Sequence, residues 1–299
     1  MISNSITYSQ NFIKNTSIIK DLIELSSITK EDTVIEIGPG TGVITNKLSN
    51  YANKVIAIEK DTNLFNQLVN EFKSTNNVDI IKGDFLNFEF SKYKNYKVFS
   101  NIPFNITSDI IKTLTDSLNP PQDIYLFVQK EAALRFIGSK DNKDNNKETM
   151  VSLLLKPWWN LEIIYNFNKT DFGPTPQIDI VLLRIQLRDK PLININNKNL
   201  YRDFIAYSFT TFKPTLKLGL RKIFSNLQFK ILSENLKFPL DAIPTDLNFN
   251  QWQELFLFSI NLYRNSIING AYYKNLNLQK NIQKNFRTRV DNDWKIKTL

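Results

Sequence analysis

The sequence predicts an α/β fold, a parallel sheet wound on both faces by helices, followed by a small domain of helices alone. Three observations carry this. Short apolar runs alternate with helix-period segments from Thr33 to Gln129. A glycine-rich turn, Gly38-Pro39-Gly40-Thr41-Gly42, follows the first of those runs directly. Beyond about residue 200 only helix-period patterns remain. Strands that alternate with helices imply parallel pairing through crossover connections.

Ile18, Ile19, Leu22, Ile23 and Leu25 space a first helix. Thr33–Ile37 reads as a strand, and a helix runs from the glycine turn to about Leu48. Lys54–Glu59 is a second strand. Asp61 is a good N-cap for a helix that carries Leu64, Leu68 and Phe72. Val78–Ile81 is a third strand, ending at Gly83-Asp84, and Tyr96–Ser100 is a fourth. Ile106–Leu118 is helical, Ile124–Gln129 is a fifth strand, and Glu131–Ile137 is a helix. Gly138–Lys147, rich in Asn, Asp and Lys, reads as a flexible loop. Met150–Leu155 and Leu161–Phe167 are apolar again. Phe172-Gly173-Pro174-Thr175-Pro176 is a rigid loop, and Asp179–Leu187 closes the sheet as part of a hairpin.

The expected division is a catalytic domain over 1–187, a linker over 188–199, a helical domain over 200–265 and a basic tail over 266–299. Tyr201, Phe204, Ile205 and Phe209, then Leu216, Leu218, Leu220 and Ile223, then Trp252, Leu255, Phe256, Ile260 and Tyr263 form the apolar faces of the helical domain. Lys213, Lys217, Arg221, Lys222 and Lys230 make a candidate basic face.

Composition narrows the chemistry. The 299 residues carry 38 Lys+Arg against 29 Asp+Glu, a net +9 and a pI near 9.4. Such an excess favours a polyanionic partner, most simply nucleic acid. The chain has no Cys and no His, which removes disulfides, thiolate and imidazole metal sites, a Cys nucleophile and a His base. No metal is expected. Met1–Lys14 lacks the features of a secretory or transit segment. The longest apolar runs, such as Leu255–Phe258, fall far below the ~20 residues of a membrane span. A cytoplasmic, monomeric protein is expected.

In a parallel sheet, ligands sit beyond the carboxyl ends of the strands. Gly38, Glu59, Asp84 and Asn101 all stand at such ends. Glycines 38, 40 and 42 allow a sharp turn and a close backbone approach. Glu59 follows them at the ~20 residues expected of an acid that grips ribose hydroxyls. Ser100–Ile106 reads Ser-Asn-Ile-Pro-Phe-Asn-Ile. Asn101 offers an amide, Pro103 extends Ile102, and Phe104 sets a flat ring beside that polar edge. A ring next to an acceptor suits a planar group bearing an exocyclic amine.

The Gly-x-Gly-x-Gly turn, preceded by Glu36, resembles the first motif of S-adenosylmethionine-dependent methyltransferases, which implies a Rossmann-like sheet. In that resemblance Glu59 binds the ribose of S-adenosyl-L-methionine and Asp84 its adenine amine. Asn-Ile-Pro-Phe resembles the motif of amino-methylating enzymes, in the form found in ribosomal RNA adenine N6-dimethyltransferases. Gln10-Asn11-Phe12-Ile13 is similar to that family's opening, which contacts the cofactor. Gln129-Lys130-Glu131 with Arg135, and Phe172-x-Pro174-x-Pro176, match in order. The resemblance covers about Tyr8–Tyr263.

It implies a catalytic motif of Asn101, Ile102, Pro103 and Phe104. Cofactor contacts would come from Gln10, Asn11, Ile13, Gly38, Gly40, Gly42, Glu59, Asp84 and Asn101. Phe104, Phe172, Lys130 and Arg135 would meet the substrate. Pro244-Thr245-Asp246-Leu247 and Gln251-Trp252 are similar to the Erm-type branch. That branch methylates an unpaired adenine of large-subunit (23S) RNA and gives resistance to macrolide, lincosamide and streptogramin B drugs. The small-subunit branch usually carries Pro-Gly-Ser-Lys-x-Tyr-Gly after the Arg135 region, and Ile137–Thr149 keeps only Gly138-Ser139-Lys140 of it. Gln177 and Ile180 also depart from the family pattern, where a basic residue and Ser are common. The main expectation is therefore the large-subunit enzyme. The small-subunit enzyme is the alternative, and a non-catalytic RNA-binding assembly factor is a competitor of another class.

Overall fold

The computed structural model describes residues 12–138, 147–262, 264–279 and 281. Gln10, Asn11 and Tyr263 lie outside them, as do residues 139–146 of the expected flexible loop. The chain forms two compact units. The first joins 1–137 to 158–190, and the second joins 138–157 to 191–299.

In the first unit, β1 (Phe12–Ile13) and α1 (Ser17–Glu24) precede β2 (Thr33–Ile37), α2 (Val43–Ser49), β3 (Lys54–Glu59), α3 (Thr62–Glu71) and β4 (Val78–Lys82). Then come β5 (Tyr96–Asn101), α4 (Thr107–Asp116), β6 (Asp123–Gln129) and α5 (Lys130–Ile137). The second unit contributes α6 (Met150–Leu155). The chain returns to the first with β7 (Trp159–Asn166), β8 (Phe172–Gly173) and β9 (Ile180–Leu187).

The main sheet runs β4-β3-β2-β5-β6-β9-β7. Its first five strands are parallel, and β9 and β7 close it as an antiparallel hairpin. A separate two-stranded ribbon pairs β1 with β8. The parallel strands read as near-continuous apolar runs because both faces are covered. Val34, Ile35, Val98, Tyr125, Leu126 and Phe127 are fully buried. Asp61 caps α3 as expected, accepting from the Asn63 and Leu64 amides at 2.8 and 3.0 Å.

Local details depart from the sequence reading. Leu25 lies past the end of α1 and is exposed, because Ile19, Leu22 and Ile23 already fill the buried face. Helix α4 stops at Asp116, since Ser117 is extended ahead of Pro120 and Pro121.

The second unit continues with α7 (Lys198–Thr211), α8 (Leu216–Gly219), α9 (Asn226–Leu236), α10 (Phe249–Ile260) and a helical stretch at 271–279. Trp252 is fully buried at its centre, edge-on to Phe204 and stacked on Phe209. Leu218, expected on an apolar face, is 46% exposed. The four-residue α8 is too short to bury a full stripe. The units also part from the expected boundaries. Residues 147–157 pack with the helices, where Tyr201 donates to the Leu153 carbonyl at 3.0 Å. Helix α7 begins inside the expected linker. Periodicity shows that α6 is apolar, not which core receives it.

Candidate active site

The cleft at the carboxyl ends of the parallel strands sits where the strand order reverses, β2 lying between β3 and β5. Ile13, Glu36, Gly38, Pro39, Gly40, Thr41, Val43, Ile44, Asn101 and Ile102 line it. Counted with the solvent at its mouth it holds about 480 Å³, the size of a small-molecule site.

The glycine turn divides its work. Gly38 has φ +62°, and a Cβ placed there would meet nothing within 4 Å, so its exposed face opens to the cleft. The Gly38 amide donates to the Ile58 carbonyl at 2.9 Å, tying the turn to β3. Gly42 does not serve the cleft. A Cβ there would come within 2.8 Å of Leu68 and Phe72, and its amide is spent on the Pro39 carbonyl. Its expected cofactor contact is corrected to a packing role that lets α2 approach α3.

Two buried acids flank the turn. Glu59 accepts the Gly40 amide at 3.3 Å and the Asp61 amide at 2.8 Å, which fixes its carboxylate at the end of β3. Glu36, 1% exposed, accepts from the Thr45 hydroxyl at 2.5 Å. Burial pushes its carboxyl up to about 8; the Thr45 hydrogen bond works against this and the Glu59 charge adds to it. Asp84 lies two residues past the end of β4, and one oxygen caps the Leu86 amide at 3.0 Å while the other meets Lys60 at 2.8 Å. The Lys60 contact holds its carboxyl below the ordinary value.

Asn101 ends β5 and Ile102, 3% exposed, follows it into the cleft wall. Pro103, at φ −62° and ψ 122°, turns the chain into a short 3₁₀ segment, Phe104–Ile106. The Phe104 ring is half-buried against the core, and its carbonyl accepts from Thr107 at 3.0 Å. Lys130 and Arg135 are exposed on α5, which leaves the end of the adjacent β6. Phe172 does not face the cleft. It is 1% exposed and packs edge-on against Phe167 in the core, so the second stacking face expected from it is absent in this structure.

Ser100 is a site residue that the sequence reading passed over. The β2–β5 pairing runs only to Ile35 and Val98. Beyond it the Ser100 hydroxyl bridges the strands, donating to the Ile37 carbonyl at 2.6 Å and accepting from the Ile37 amide at 3.2 Å. One buried hydroxyl therefore spans the residue before Gly38 and the residue before Asn101. A lone Ser at a strand end carries no such signal in sequence.

The residues fit a cationic nucleoside cofactor: an open glycine face, one acid fixed by backbone amides and a second buried acid whose ionisation a cation would favour. Fold and cleft together define an α/β methyltransferase. The chain belongs to the ribosomal RNA adenine dimethylase family, whose profile matches residues 1–261. It is an enzyme of the rRNA adenine N6-dimethyltransferase type, and membership implies use of S-adenosylmethionine.

Relatives of this chain bear the name ribosomal RNA small subunit methyltransferase A, among them two from different genera. The one from Mycoplasmopsis synoviae is 32% identical over 253 residues, covering 83% of this chain and 94% of its own. The one from Clostridium botulinum (strain Langeland) is 30% identical over 218 residues, covering 72% and 78%. Among solved structures, the 23S rRNA methyltransferase ErmE superposes with a TM-score of 0.73 at 21% identity, covering 83% of this chain and 98% of that one. A dimethyladenosine transferase from Plasmodium falciparum gives 0.66 at 22%, covering 84% and 98%. At such identities the likeness is one of fold.

Proposed function

We propose that this chain transfers methyl groups to the N6 amine of an unpaired adenine in small-subunit ribosomal RNA. The observation that carries the choice of RNA is the small-subunit name borne by relatives at 30–32% identity across most of both chains. This replaces the expected large-subunit target, and the resistance to macrolide, lincosamide and streptogramin B drugs loses its support with it. The residues behind that expectation have structural work of their own. Asp246 caps the Ile243 amide at 3.0 Å and pairs with Lys147 at 3.1 Å. Gln251 caps Asn248 at 2.8 Å, and the buried Trp252 donates to the Pro244 carbonyl at 3.2 Å. A capped helix with a buried Trp favours neither RNA.

The cofactor, when bound, supplies an electrophilic methyl group. Gly38 and Gly40 would admit it, Glu59 would hold its ribose and Asp84 its adenine, with Ile13 on the cleft wall. Adenine N6 is a poor nucleophile because its lone pair is delocalised into the ring. The Asn101 amide oxygen and the Ile102 carbonyl would accept the two N6 hydrogens, turning the lone pair out of the ring and steadying charge as it builds. Phe104 would stack on the base, a contact of about 1–3 kcal/mol. Alignment of donor and acceptor is the main source of rate. The base must leave its stack, so unpaired RNA is the easier target. Lys130 and Arg135 in the first unit, and Lys213, Arg221, Lys222 and Lys230 in the second, would meet phosphates.

Cells lacking their own small-subunit adenine dimethylation provide the test. Expression of this chain should restore N6-methyladenine in small-subunit RNA. Modification confined to large-subunit RNA would return the reading to the Erm-type branch. RNA binding with no methylation would favour the assembly factor.

A further inference from the structure

The inward turn of Phe172 leaves its motif without the substrate contact expected of it, and the surroundings of that motif give it other work. Strand β8 lies in the connection between β7 and β9, which is rooted where the Phe167 amide donates to the Ile180 carbonyl at 3.1 Å. It pairs antiparallel with β1, Phe172 opposite Ile13 and Gly173 opposite Phe12. Ile13 packs on the same core that receives the Phe172 ring. It also lines the cleft beside Gly38, Gly40 and Asn101. One wall of the cleft is therefore carried by a two-stranded ribbon rather than by the main sheet.

A ribbon of two residues per strand is too short to hold itself. Asp171 supplies the rest. Its backbone carbonyl accepts the Lys14 and Asn15 amides at 2.8 and 3.1 Å. Its Oδ1 accepts the Asn15 side-chain amide at 3.0 Å, across a separation of 156 positions in sequence. Its Oδ2 accepts the Asn168 amide at 2.9 Å, which fixes the carboxylate to its own loop. Asp171 is 4% exposed, so water is poorly placed to replace a lost partner. On the other side, the Asn15 Oδ1 accepts the Ser17 hydroxyl at 2.6 Å, at the first turn of α1. Three donors just past Ile13 thus converge on one buried residue.

We infer that Asp171 is a positioning residue of the cofactor site: it clasps Lys14 and Asn15 and so holds Ile13 in place as a wall of the cleft. The inference rests on reading that cleft as the S-adenosylmethionine site and adds what keeps one wall of it in place.

The side-chain bond of the clasp has a direction, because a carboxylate only accepts and an amide also donates. Asn15→Asp sets two carboxylates face to face and breaks it. Combining Asn15→Asp with Asp171→Asn reverses it. The amide at position 171 then donates to the new carboxylate while its oxygen still accepts from Asn168, and net charge equals that of wild type. Calorimetry of the full chain with S-adenosylmethionine reads the result. Asn15→Asp should weaken binding about tenfold, and the reversed pair should recover most of the loss. In turnover, Asn15→Asp should raise the cofactor KM and leave kcat near wild type. Ile13→Ala should weaken binding by itself but add little to Asn15→Asp, because a released wall has no contact left to lose. A general fold defect would instead give losses that add.

Wild-type affinity in Asn15→Asp, a reversed pair as weak as the single variant, or fully additive losses with Ile13→Ala would each overturn the clasp and leave the cofactor reading standing. Wild type that binds no S-adenosylmethionine would overturn both.

Discussion

At the amino ends of the parallel strands, Lys97 meets Asp32 at 2.8 Å and Arg184 meets Asp123 at 2.9 Å. Ser27 joins the two pairs, its carbonyl accepting from Lys97 at 2.5 Å and its hydroxyl donating to Asp123 at 2.7 Å. Burial works against the Asp32 charge, but Lys97 and Thr29 outweigh it and hold its carboxyl below the ordinary value. At the carboxyl ends, Glu36 is buried within reach of the Glu59 charge. Among the described residues no Lys or Arg pairs with either acid; the Thr45 hydroxyl and two backbone amides hold them. One end of the sheet neutralises its buried charge internally. The other sets a buried Glu36, which burial keeps protonated, beside the Glu59 carboxylate, an arrangement whose full ionisation a cationic ligand would favour. The same β-strands therefore carry stability at one end and binding at the other.

Substitutions at the two ends should fail in different ways. The largest effect is expected from Asn101→Ala, which should lower methyl transfer about 10²–10³-fold while cofactor affinity, read by calorimetry, stays within about tenfold. At the opposite end, Lys97→Met strands Asp32 and should cost about 2–3 kcal/mol in urea unfolding, a little under the range for a fully buried pair. Its cofactor affinity should be unchanged. A loss of binding there would break the division between the ends.

Glu36→Gln separates the two ends through pH. The folded protein keeps a proton on Glu36 between the ordinary 4.5 and about 8, where the unfolded chain has released it. Folding stability from this group is therefore full below that window and declines as pH rises through it. Glu36→Gln should flatten the decline between pH 6 and 8. The chain has no His or Cys to obscure this. Affinity for a cationic cofactor should rise with pH over the same window in wild type and not in the variant. The smallest effect belongs to Ser100→Ala, about three- to tenfold in turnover with little change in cofactor affinity, because the β2–β5 spacing loosens without loss of a binding group. Ser100→Cys should recover part of it.

The carboxyl-end cleft was far more legible in sequence than the amino-end network. Glycines after a strand, an acid twenty residues on and Asn-Ile-Pro-Phe form local strings, and the sheet's topology gathers them. Lys97, Asp32, Asp123 and Arg184 meet only through strand register, so no string announces them. Phe172 shows the limit even at the readable end: a motif gives its order but not its rotamer, and the ring turned inward. Gly42 has the spacing of a cofactor glycine but is used to pack a helix. Pro244–Trp252 does not separate the two RNAs, because capping boxes and buried Trp residues serve packing in any helical domain.

A carboxyl-end cleft that binds a methyl donor and directs it to adenine N6 of small-subunit RNA should label that RNA in a direct competition. Incubating the purified chain with methyl-labelled S-adenosylmethionine and equal amounts of unmodified small- and large-subunit rRNA, then resolving the nucleosides, tests it most directly. Labelled N6-methylated adenosine is expected from the small-subunit RNA, abolished in Gly40→Trp, whose side chain would fill the cleft. Label only in large-subunit RNA, or transfer that survives Gly40→Trp, would contradict it.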